Sequence, residues 1–415
     1  MSTSDHRPPR RCPVCDDISV QHVHTQRFSG VSACSLLTGY NVVVCGACGL
    51  GYADGIPDQA EFDCHYEEQS KYEYGHAGGR ESPFDLARFR ECVNRFERWQ
   101  PDRSLKIVDV GCATGGLLAE LSRRGYSDLL GIDPSPACVS AVDRLYGLRA
   151  VVGSLGRLPV VESKADVAIF SCVLEHVRDV RSMLESVRPL LKEDGALFLE
   201  VPNAWGFAAC RNAPYQQFSN EHINFFSPVS LGNLLRTLGA ESEQVAEAWY
   251  EWKSGILEPV VCGLFRLSPD RYALPLEPDL RTREQLELYV DACRNADLEV
   301  HRRIDSLVSS AEPVYVWGVG TSTQRLLSDS RLRDANIVAF VDSNAHYHGG
   351  ELEGRPILSP NQITESSLPI LVASFPFFQD ILGEIRDRLK LSNYVIPLFG
   401  EPAPCGAVSA RCERS

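Results

Sequence analysis

The sequence contains no long apolar run and no run of basic residues. No stretch reaches the ~20 apolar residues of a membrane-spanning helix, and residues 1–11 are polar, without the apolar core of a signal peptide. The 41 lysines and arginines are outnumbered by 55 aspartates and glutamates, which gives a formal net charge of -14 at pH 7. Because nucleic-acid-binding proteins concentrate positive charge on one face, we expect no nucleic-acid partner, no membrane insertion and a cytoplasmic protein.

Most of the 15 cysteines have no ligand spacing, and in a reducing compartment we expect them to be buried thiols. Cys12 and Cys15, and likewise Cys45 and Cys48, form C-x2-C pairs, with which a tight turn offers two thiolates to a tetrahedral zinc ion. Four cysteine ligands leave no position for water, so the predicted zinc site is structural. The alternative is four unconnected thiols. Cys34, between the pairs, is a substitute ligand or a plain core residue.

A chain of 415 residues is too long for a single hydrophobic core, and its length suggests two or three domains. From residue 105 onward the pattern alternates between strands and helices, which predicts an α/β fold. The predicted helix before the last of these strands covers 181–192. The predicted strands are 105–110, 129–133, 150–154, a fourth that starts at Asp166, and 195–203.

The turn after the first of these strands consists of small residues, Gly111-Cys112-Ala113-Thr114-Gly115-Gly116. It lacks the G-x-G-x-x-G spacing of a dinucleotide site, but it lets the backbone approach a ligand closely. Asp133 ends the second strand, where doubly wound sheets place the acid that accepts the ribose hydroxyls. Turn and acid together indicate an adenosine-containing ligand. The alternative is a tight corner that binds nothing.

Three segments, "VDVGCATGG", "GIDPS" and "VLEHVRD", resemble the first, second and fourth motifs of class I S-adenosylmethionine-dependent methyltransferases. The resemblance extends over residues 100–240 and implies S-adenosyl-L-methionine as the cofactor. It also implies the cofactor-binding residues: Asp109, Gly111, Ala113 and Gly115 around the methionine end, Asp133 at the ribose and Ser154 near the adenine.

The segment before the sheet contains several tyrosines beside acidic residues. In methyltransferases of this type such a segment often folds over the cofactor, so Tyr66 and Tyr72 are candidates for a lid. Two tyrosines on a half-buried helix are an equally good interpretation.

The segment "FSNEHINFFSP" places Glu221 and His222 among aromatic and small residues, beyond the carboxyl end of the fifth strand. Open α/β sheets bind their ligands at that edge. Ser227 and Pro228 then form a helix start, as N-cap and first helical residue. His176, just past the fourth strand, reaches the same edge, so two histidines and one acid are expected to converge there as catalytic groups. The alternative is a turn-capping acid and core histidines.

The order of a four-cysteine module, a methyltransferase domain with "EHINFFS" and a C-terminal α/β domain resembles the deoxysugar C-methyltransferases of bacterial antibiotic pathways. That family methylates a keto-sugar linked to a nucleoside diphosphate. The resemblance implies a nucleotide-sugar acceptor, His222 as the base, and supporting roles for Glu221 and His176. Ser219 stands where the family has a tyrosine, so methylation at carbon and methylation at oxygen both stay open. Another tyrosine, such as Tyr215, could take the role of the family tyrosine.

The C-terminal third contains a second α/β pattern. Its turn Gly318-Val319-Gly320 has the first half of a dinucleotide fingerprint, with Thr323 at the third glycine position. An NAD-dependent oxidoreductase is therefore one alternative function, whereas the resemblance implies a domain that closes over the acceptor. A binding module is a further alternative, against which the intact cofactor motifs argue.

These observations predict an α/β protein with two Rossmann-like domains behind a zinc-binding module, as a monomer or homodimer. The predicted divisions are a zinc-binding module over 1–65, a methyltransferase domain over 66–270, a C-terminal Rossmann-like domain over 271–402 and a disordered tail over 403–415.

Overall fold

A computed structural model describes residues 9–30, 36–68, 81–154, 158, 163–252, 256–267, 272–365 and 367–400. The predictions for Cys34, for Tyr72 and for the tail over 403–415 fall outside these residues. Within them, no helix combines the length and the apolar composition that crossing a membrane requires.

The described residues form alternating strands and helices. The strands are β1 Val20–Arg27, β2 Gly39–Cys45, β3 Gly51–Asp54, β4 Lys106–Val110, β5 Asp128–Asp133, β6 Ala150–Val152, β7 Ala165–Ser171, β8 Leu191–Pro202, β9 Asn224–Phe225, β10 Ala240–Trp252, β11 Ile256–Leu267, β12 Val314–Trp317, β13 Ile337–Val341, β14 Glu351–Leu352, β15 Arg355–Leu358, β16 Ile370–Val372 and β17 Val395–Pro397. The α-helices are α1 Gln59–Glu68, α2 Pro83–Trp99, α3 Gly116–Arg123, α4 Pro136–Tyr146, α5 Val180–Val187, α6 Pro228–Thr237, α7 Thr282–Ser310, α8 Thr321–Asp329 and α9 Phe378–Gly383.

The central sheet has seven strands in the order β10-β11-β8-β7-β4-β5-β6. Strands β4 to β8 pair in parallel, and β11 runs antiparallel to both β8 and β10. Strand β4 is buried after its first residue, as expected for a parallel strand that helices cover on both faces. The carboxyl ends of β4, β5 and β7 therefore meet at one edge, between the helices that follow them.

The C-terminal sheet has six strands in the order β14-β15-β13-β12-β16-β17. Five of them pair in parallel, and only β14 among the described strands of this sheet runs antiparallel to its neighbour. This is a second Rossmann-like arrangement, so the predicted α/β fold class is confirmed.

The N-terminal sheet contains a strand from a distant part of the sequence. Strands β1, β2 and β3 form an antiparallel meander, and β3 then pairs with β9, with Gly51 opposite Phe225 and Tyr52 opposite Asn224. Strand β9 begins two residues after His222. The cysteine-containing module is thus joined directly to the segment with the Glu-His pair.

Local signals account for most element boundaries. Helix α6 begins where predicted: the Ser227 hydroxyl accepts a hydrogen bond from the Ser230 amide in a capping box, and Pro228 is the first helical residue. The helix predicted over 181–192 was wrong at its end, because α5 stops at Val187 and a 3-10 turn leads into β8 at Leu191. Pro189 lies in that turn, and proline disfavours helical conformation in the residue before it.

Helix α7 connects the central sheet to the second α/β unit, and it also packs against the segment with the Glu-His pair. Its buried residues Leu286 and Tyr289 belong to one apolar cluster with Phe218, Ile223 and Phe225. The helix therefore packs against the segment that carries Glu221 and His222 and stabilises it.

Candidate active site

The four predicted zinc ligands lie together. The Sγ atoms of Cys12 and Cys48 are 3.5 Å apart and those of Cys15 and Cys45 are 3.4 Å apart, and all four lie within 4.8 Å of one another. A tetrahedral site with Zn–S bonds of ~2.3 Å places its sulfurs about 3.8 Å apart. Gly49, just after the second pair, has φ +80°, and a Cβ there would lie 2.2 Å from the Asp279 carbonyl oxygen. These residues fit a structural zinc ion.

A cleft of about 260 Å³ opens at the carboxyl edge of the central sheet. The glycine turn after β4 forms its floor, and Asp109, Asp133 and Ser154 all line it. Gly111 has φ +77°, and a Cβ there would lie 2.7 Å from Val173 Cγ2, so a larger residue at this position clashes. The structure thus brings five of the predicted cofactor residues into one cavity, namely Asp109, Gly111, Ala113, Asp133 and Ser154, whereas Gly115 is not among its lining residues. Their cofactor-binding roles stay predictions.

Asp133 is held rigidly at the end of β5. Its Oδ2 accepts a hydrogen bond from the Ala113 amide at 2.8 Å, and its Oδ1 accepts one from the Ser135 amide at 3.0 Å. The carboxylate therefore links the second strand to the glycine turn.

Asp109 lies at the end of β4 and is 2% exposed. Its Oδ2 has no hydrogen-bond partner among the described residues. Burial and the nearby charge of Asp133 raise the pKa of Asp109 to about 7, while the charge of Arg88 opposes the shift. A buried carboxyl oxygen without a donor suits a ligand that brings its own, such as an ammonium group.

Arg88 is a cleft residue that sequence reasoning missed. It lies on α2, lines the cleft, and donates from Nη1 to the Ser171 hydroxyl at 3.1 Å. Its guanidinium also stacks over the Phe89 ring, 4.4 Å from the ring centroid. Because α2 has the pattern of an ordinary amphipathic helix, no local signal separates Arg88 from the other arginines of that helix.

Helix α1 forms the wall of the cleft opposite the glycine turn. Tyr66 lines the cavity, and its ring meets the His176 ring edge to face, with the centroids 6.3 Å apart. At the start of α2, Glu81 accepts hydrogen bonds from the Thr114 hydroxyl at 3.2 Å and from the Tyr146 hydroxyl. Glu81 therefore contacts the glycine turn directly, and a lid role for Tyr66 stays a prediction.

The two predicted histidines meet beside this cleft. The rings of His176 and His222 are perpendicular, with their centroids 4.9 Å apart. His176 Nδ1 lies 3.1 Å from the Glu221 carbonyl oxygen, so Nδ1 carries the proton in the neutral ring and Nε2 is the acceptor nitrogen. His176 and Glu221 line the cleft, whereas His222 is not among the lining residues and lies behind His176, against its ring. Their catalytic roles stay predictions.

Ser219 sets the turn that presents the Glu-His pair. Its hydroxyl oxygen accepts hydrogen bonds from the amides of Glu221 at 3.3 Å and His222 at 3.1 Å. The proposed replacement tyrosine, Tyr215, is packed elsewhere: it stacks on His24 at 4.7 Å and lies under the Arg325 guanidinium at 4.9 Å. Burial raises the pKa of Tyr215 to about 12, and its side chain is absent from the cleft lining.

Two family models match parts of this chain. Residues 84–245, which include the glycine turn, Asp133 and both histidines, match a family described as "Methyltransferase domain". Within residues 84–245 the chain therefore carries a methyltransferase domain. Beyond this methyltransferase domain, residues 310–396 match a family described as "C2185-like, N-terminal".

Curated relatives match about a third to two fifths of the chain. The ubiquinone biosynthesis O-methyltransferase of Bartonella quintana (strain Toulouse) is 29% identical over 150 residues, covering 32% of this chain and 60% of the relative. That of Xylella fastidiosa (strain M23) is 30% identical over 165 residues, covering 36% and 66%. The human mitochondrial protein of that name is 27% identical over 190 residues, covering 42% and 51%. The chain thus spans only half to two thirds of the length of these three relatives.

Solved structures resemble about two fifths to one half of the chain. Magnesium protoporphyrin IX methyltransferase (ChlM) from Synechocystis PCC 6803, with bound SAH, is 14% identical and covers 51% of this chain and 100% of its own, with a TM-score of 0.37. A methyltransferase from Methanosarcina mazei is 19% identical and covers 40% and 94%, with a TM-score of 0.34.

Proposed function

We propose that this protein transfers a methyl group from S-adenosyl-L-methionine to carbon of a nucleotide-linked deoxysugar, with His222 as the base. The observation that carries the proposal is the meeting of His176, Glu221 and His222, from two separate loops, beside the cofactor cleft. The cysteine module and the C-terminal Rossmann-like domain around this domain support the sugar acceptor, because deoxysugar C-methyltransferases have the same three parts. The proposal places the protein in the cytoplasm, as a monomer or homodimer.

The charges around the cleft support the cofactor-binding residues that the resemblance implies. Asp109 would accept hydrogen bonds from the amino group of the cofactor, and Arg88 would pair with its carboxylate. Asp133, fixed by two backbone amides, would accept the ribose hydroxyls, and Ser154 would lie near the adenine. The bound cofactor supplies an electrophilic methyl group on a sulfonium.

The histidine pair would provide proton transfer. A carbon next to a carbonyl must lose a proton before it can attack a methyl group, and His222 would take that proton as the C–H bond breaks. The new C–CH3 bond then forms as the S–CH3 bond breaks, which leaves neutral S-adenosylhomocysteine. His176 and Glu221 would orient the acceptor and the imidazole of His222.

Oxygen methylation is the second candidate. The curated relatives are named as O-methyltransferases, and Ser219 provides turn geometry where the sugar family has a tyrosine. A hydroxyl acceptor would lose its proton to the same base.

We also propose that the four-cysteine cluster binds one structural zinc ion, on the support of its sulfur distances. The ion would hold the two turns of the N-terminal module together without taking part in methyl transfer.

Calorimetric titration with S-adenosylhomocysteine and NADH tests the cofactor. We expect S-adenosylhomocysteine to bind the wild type and Asp128→Ala, whose exposed carboxylate begins the same strand, and to bind Asp133→Ala at least roughly tenfold more weakly, because the ribose acceptor is lost. Binding of NADH alone would contradict the proposal and favour the oxidoreductase.

Mass spectrometry and NMR of products from a panel of nucleotide sugars and phenols would then identify the acceptor and the methylated atom. With an accepted substrate, His222→Ala should lower kcat by roughly 10²- to 10⁴-fold, the usual contribution of a general base. The control His22→Ala, on exposed β1, should leave kcat unchanged. Equal rates for both variants would exclude His222 as the base.

A further inference from the structure

Arg10 lies two residues before the first cysteine ligand, yet its side chain is 5% exposed and reaches the histidine loops. Its Nη1 donates hydrogen bonds to the Ile223 carbonyl at 3.1 Å and to the Ala53 carbonyl at 3.3 Å. Its Nη2 donates to Asn224 Oδ1 at 2.9 Å and to the Arg178 carbonyl. One guanidinium therefore contacts β3, the loop after β7 and the segment that follows His222.

Asn224 completes this connection. Its side-chain amide donates hydrogen bonds to the carbonyls of Leu174 and Val177, both at 2.7 Å, while its Oδ1 accepts from Arg10. Asn224 is 2% exposed. Its two carbonyl partners lie on either side of Glu175 and His176 in the chain. The amide nitrogen of Asn224 thus fixes the loop that carries His176, and its oxygen joins that loop to Arg10.

The backbone joins the same two loops. The amides of Ile223 and Asn224 lie 2.8 and 3.3 Å from the Glu175 carbonyl. The perpendicular contact between the rings of His176 and His222 arises where these loops meet. A shift of one loop relative to the other would separate the rings.

We propose that Arg10 and Asn224 are positioning residues, which hold His176 and His222 in register for methyl transfer. The proposal rests on the function proposed above. Arginine suits the task because its planar group offers five donors in a fixed geometry, so one side chain satisfies acceptors from three segments at once. The N-terminal cysteine module would therefore align the active site through Arg10, besides stabilising its own fold.

Kinetic variants test the proposal. Arg10→Gln removes most of the donors, and Asn224→Asp places a carboxylate oxygen against two carbonyl oxygens. Because a misplacement of about 1 Å can cost ~100-fold in rate, we expect each variant to lower kcat roughly 10- to 100-fold. The affinity for S-adenosylhomocysteine and the zinc content should stay within about twofold of the wild type. Arg10→Lys should lose less, because an ammonium group reaches part of the same acceptors.

Arg11→Gln is the matched control. Arg11 is the next residue and has the same charge, but its side chain is exposed and bonds Asp16 at 2.7 Å. Its kcat should equal that of the wild type. If Arg10→Gln and Asn224→Asp match this control, the proposal is overturned. It is also overturned if kcat falls only in proportion to a loss of cofactor affinity or of zinc, since the two residues would then be merely structural.

An NMR measurement that needs no catalysis tests the positioning role separately from the proposed function. With histidine-labelled protein, a nuclear Overhauser contact between the ring protons of His176 and His222 should appear in the wild type and in Arg11→Gln. It should be absent from Asn224→Asp and Arg10→Gln. Persistence of that contact in both variants would overturn the positioning role even if no acceptor is turned over, whereas a wild type without methyl transfer would contradict only the proposed function.

Discussion

At the scale of single residues, Asp109 shows how burial prepares a site for its ligand. Its carboxyl group lies under the glycine turn with one oxygen lacking a protein donor among the described residues, and its pKa is raised to about 7 by burial and by Asp133. A raised carboxyl pKa means that the folded state keeps a proton which the unfolded chain has already lost. The free energy of unfolding must therefore fall as pH rises from the unfolded pKa, near 3.8, towards 7.

Asp109→Asn should remove this pH dependence. Between pH 5 and pH 7 the stability of the wild type relative to the variant should fall by roughly 2 kcal/mol, because each pKa unit corresponds to ~1.4 kcal/mol. Urea unfolding at several pH values measures the difference. Asp102→Asn, which changes an exposed carboxylate just before the same strand, should show no such fall. Parallel pH curves for the wild type and Asp109→Asn would mean that the carboxyl is not desolvated.

At the scale of elements, the sequence allowed most of the site to be predicted, because its signals are local. The small residues 111–116, the acid at the end of β5 and the paired cysteines are each recognisable from a few neighbours in the chain. Arg10, Arg88 and Asn224 were not found, because each acts on residues far away in the sequence. Nothing around a polar N-terminus indicates that one arginine reaches two distant loops. The pairing of β3 with β9 was missed for the same reason, since a two-residue strand leaves no periodic pattern.

Two helix caps allow the stability contribution of a cap alone to be compared with that of a cap that also makes a tertiary hydrogen bond. Ser82 and Ser227 both form capping boxes, but the Ser227 hydroxyl also donates to the buried Asp279 carboxylate at 2.5 Å. We expect Ser82→Ala to cost about 1 kcal/mol of stability. Ser227→Ala should cost about 1 to 2 kcal/mol more, because a buried carboxylate loses a donor. Urea denaturation midpoints test the difference, and equal costs would show that the bond to Asp279 contributes nothing.

At the scale of the whole molecule, the cysteine module and the methyltransferase domain form one structure. Cys12 lies two residues after Arg10, and the Cys48 carbonyl accepts a hydrogen bond from the Asp279 amide at 3.1 Å. Asp279 in turn contacts the cap of α6 and the first turn of α7. Disturbance of the cluster should therefore reach both sides of the Glu-His segment.

Removal of the metal should show this connection. We expect one zinc ion per chain by elemental analysis, and we expect Cys15→Ser to lose the ion, the thermal stability of the module and most of the methyl transfer. Cys64→Ser, at an exposed cysteine outside the cluster, should retain all three. Full activity in a zinc-free Cys15→Ser protein would show that the cluster and the active site are independent.

The pairing of β3 with β9 also has a consequence for protein synthesis. The ribosome releases residues 51–54 long before residues 224–225, at about 5 to 20 residues per second. During that interval the N-terminal meander has an open strand edge, whose unpaired amides and carbonyls are a template for association with other chains. The edge is paired only after β9 has been synthesised. The N-terminal sheet can therefore be completed only after most of the methyltransferase domain has left the ribosome. An N-terminal fragment that stops before that segment would keep the edge open permanently.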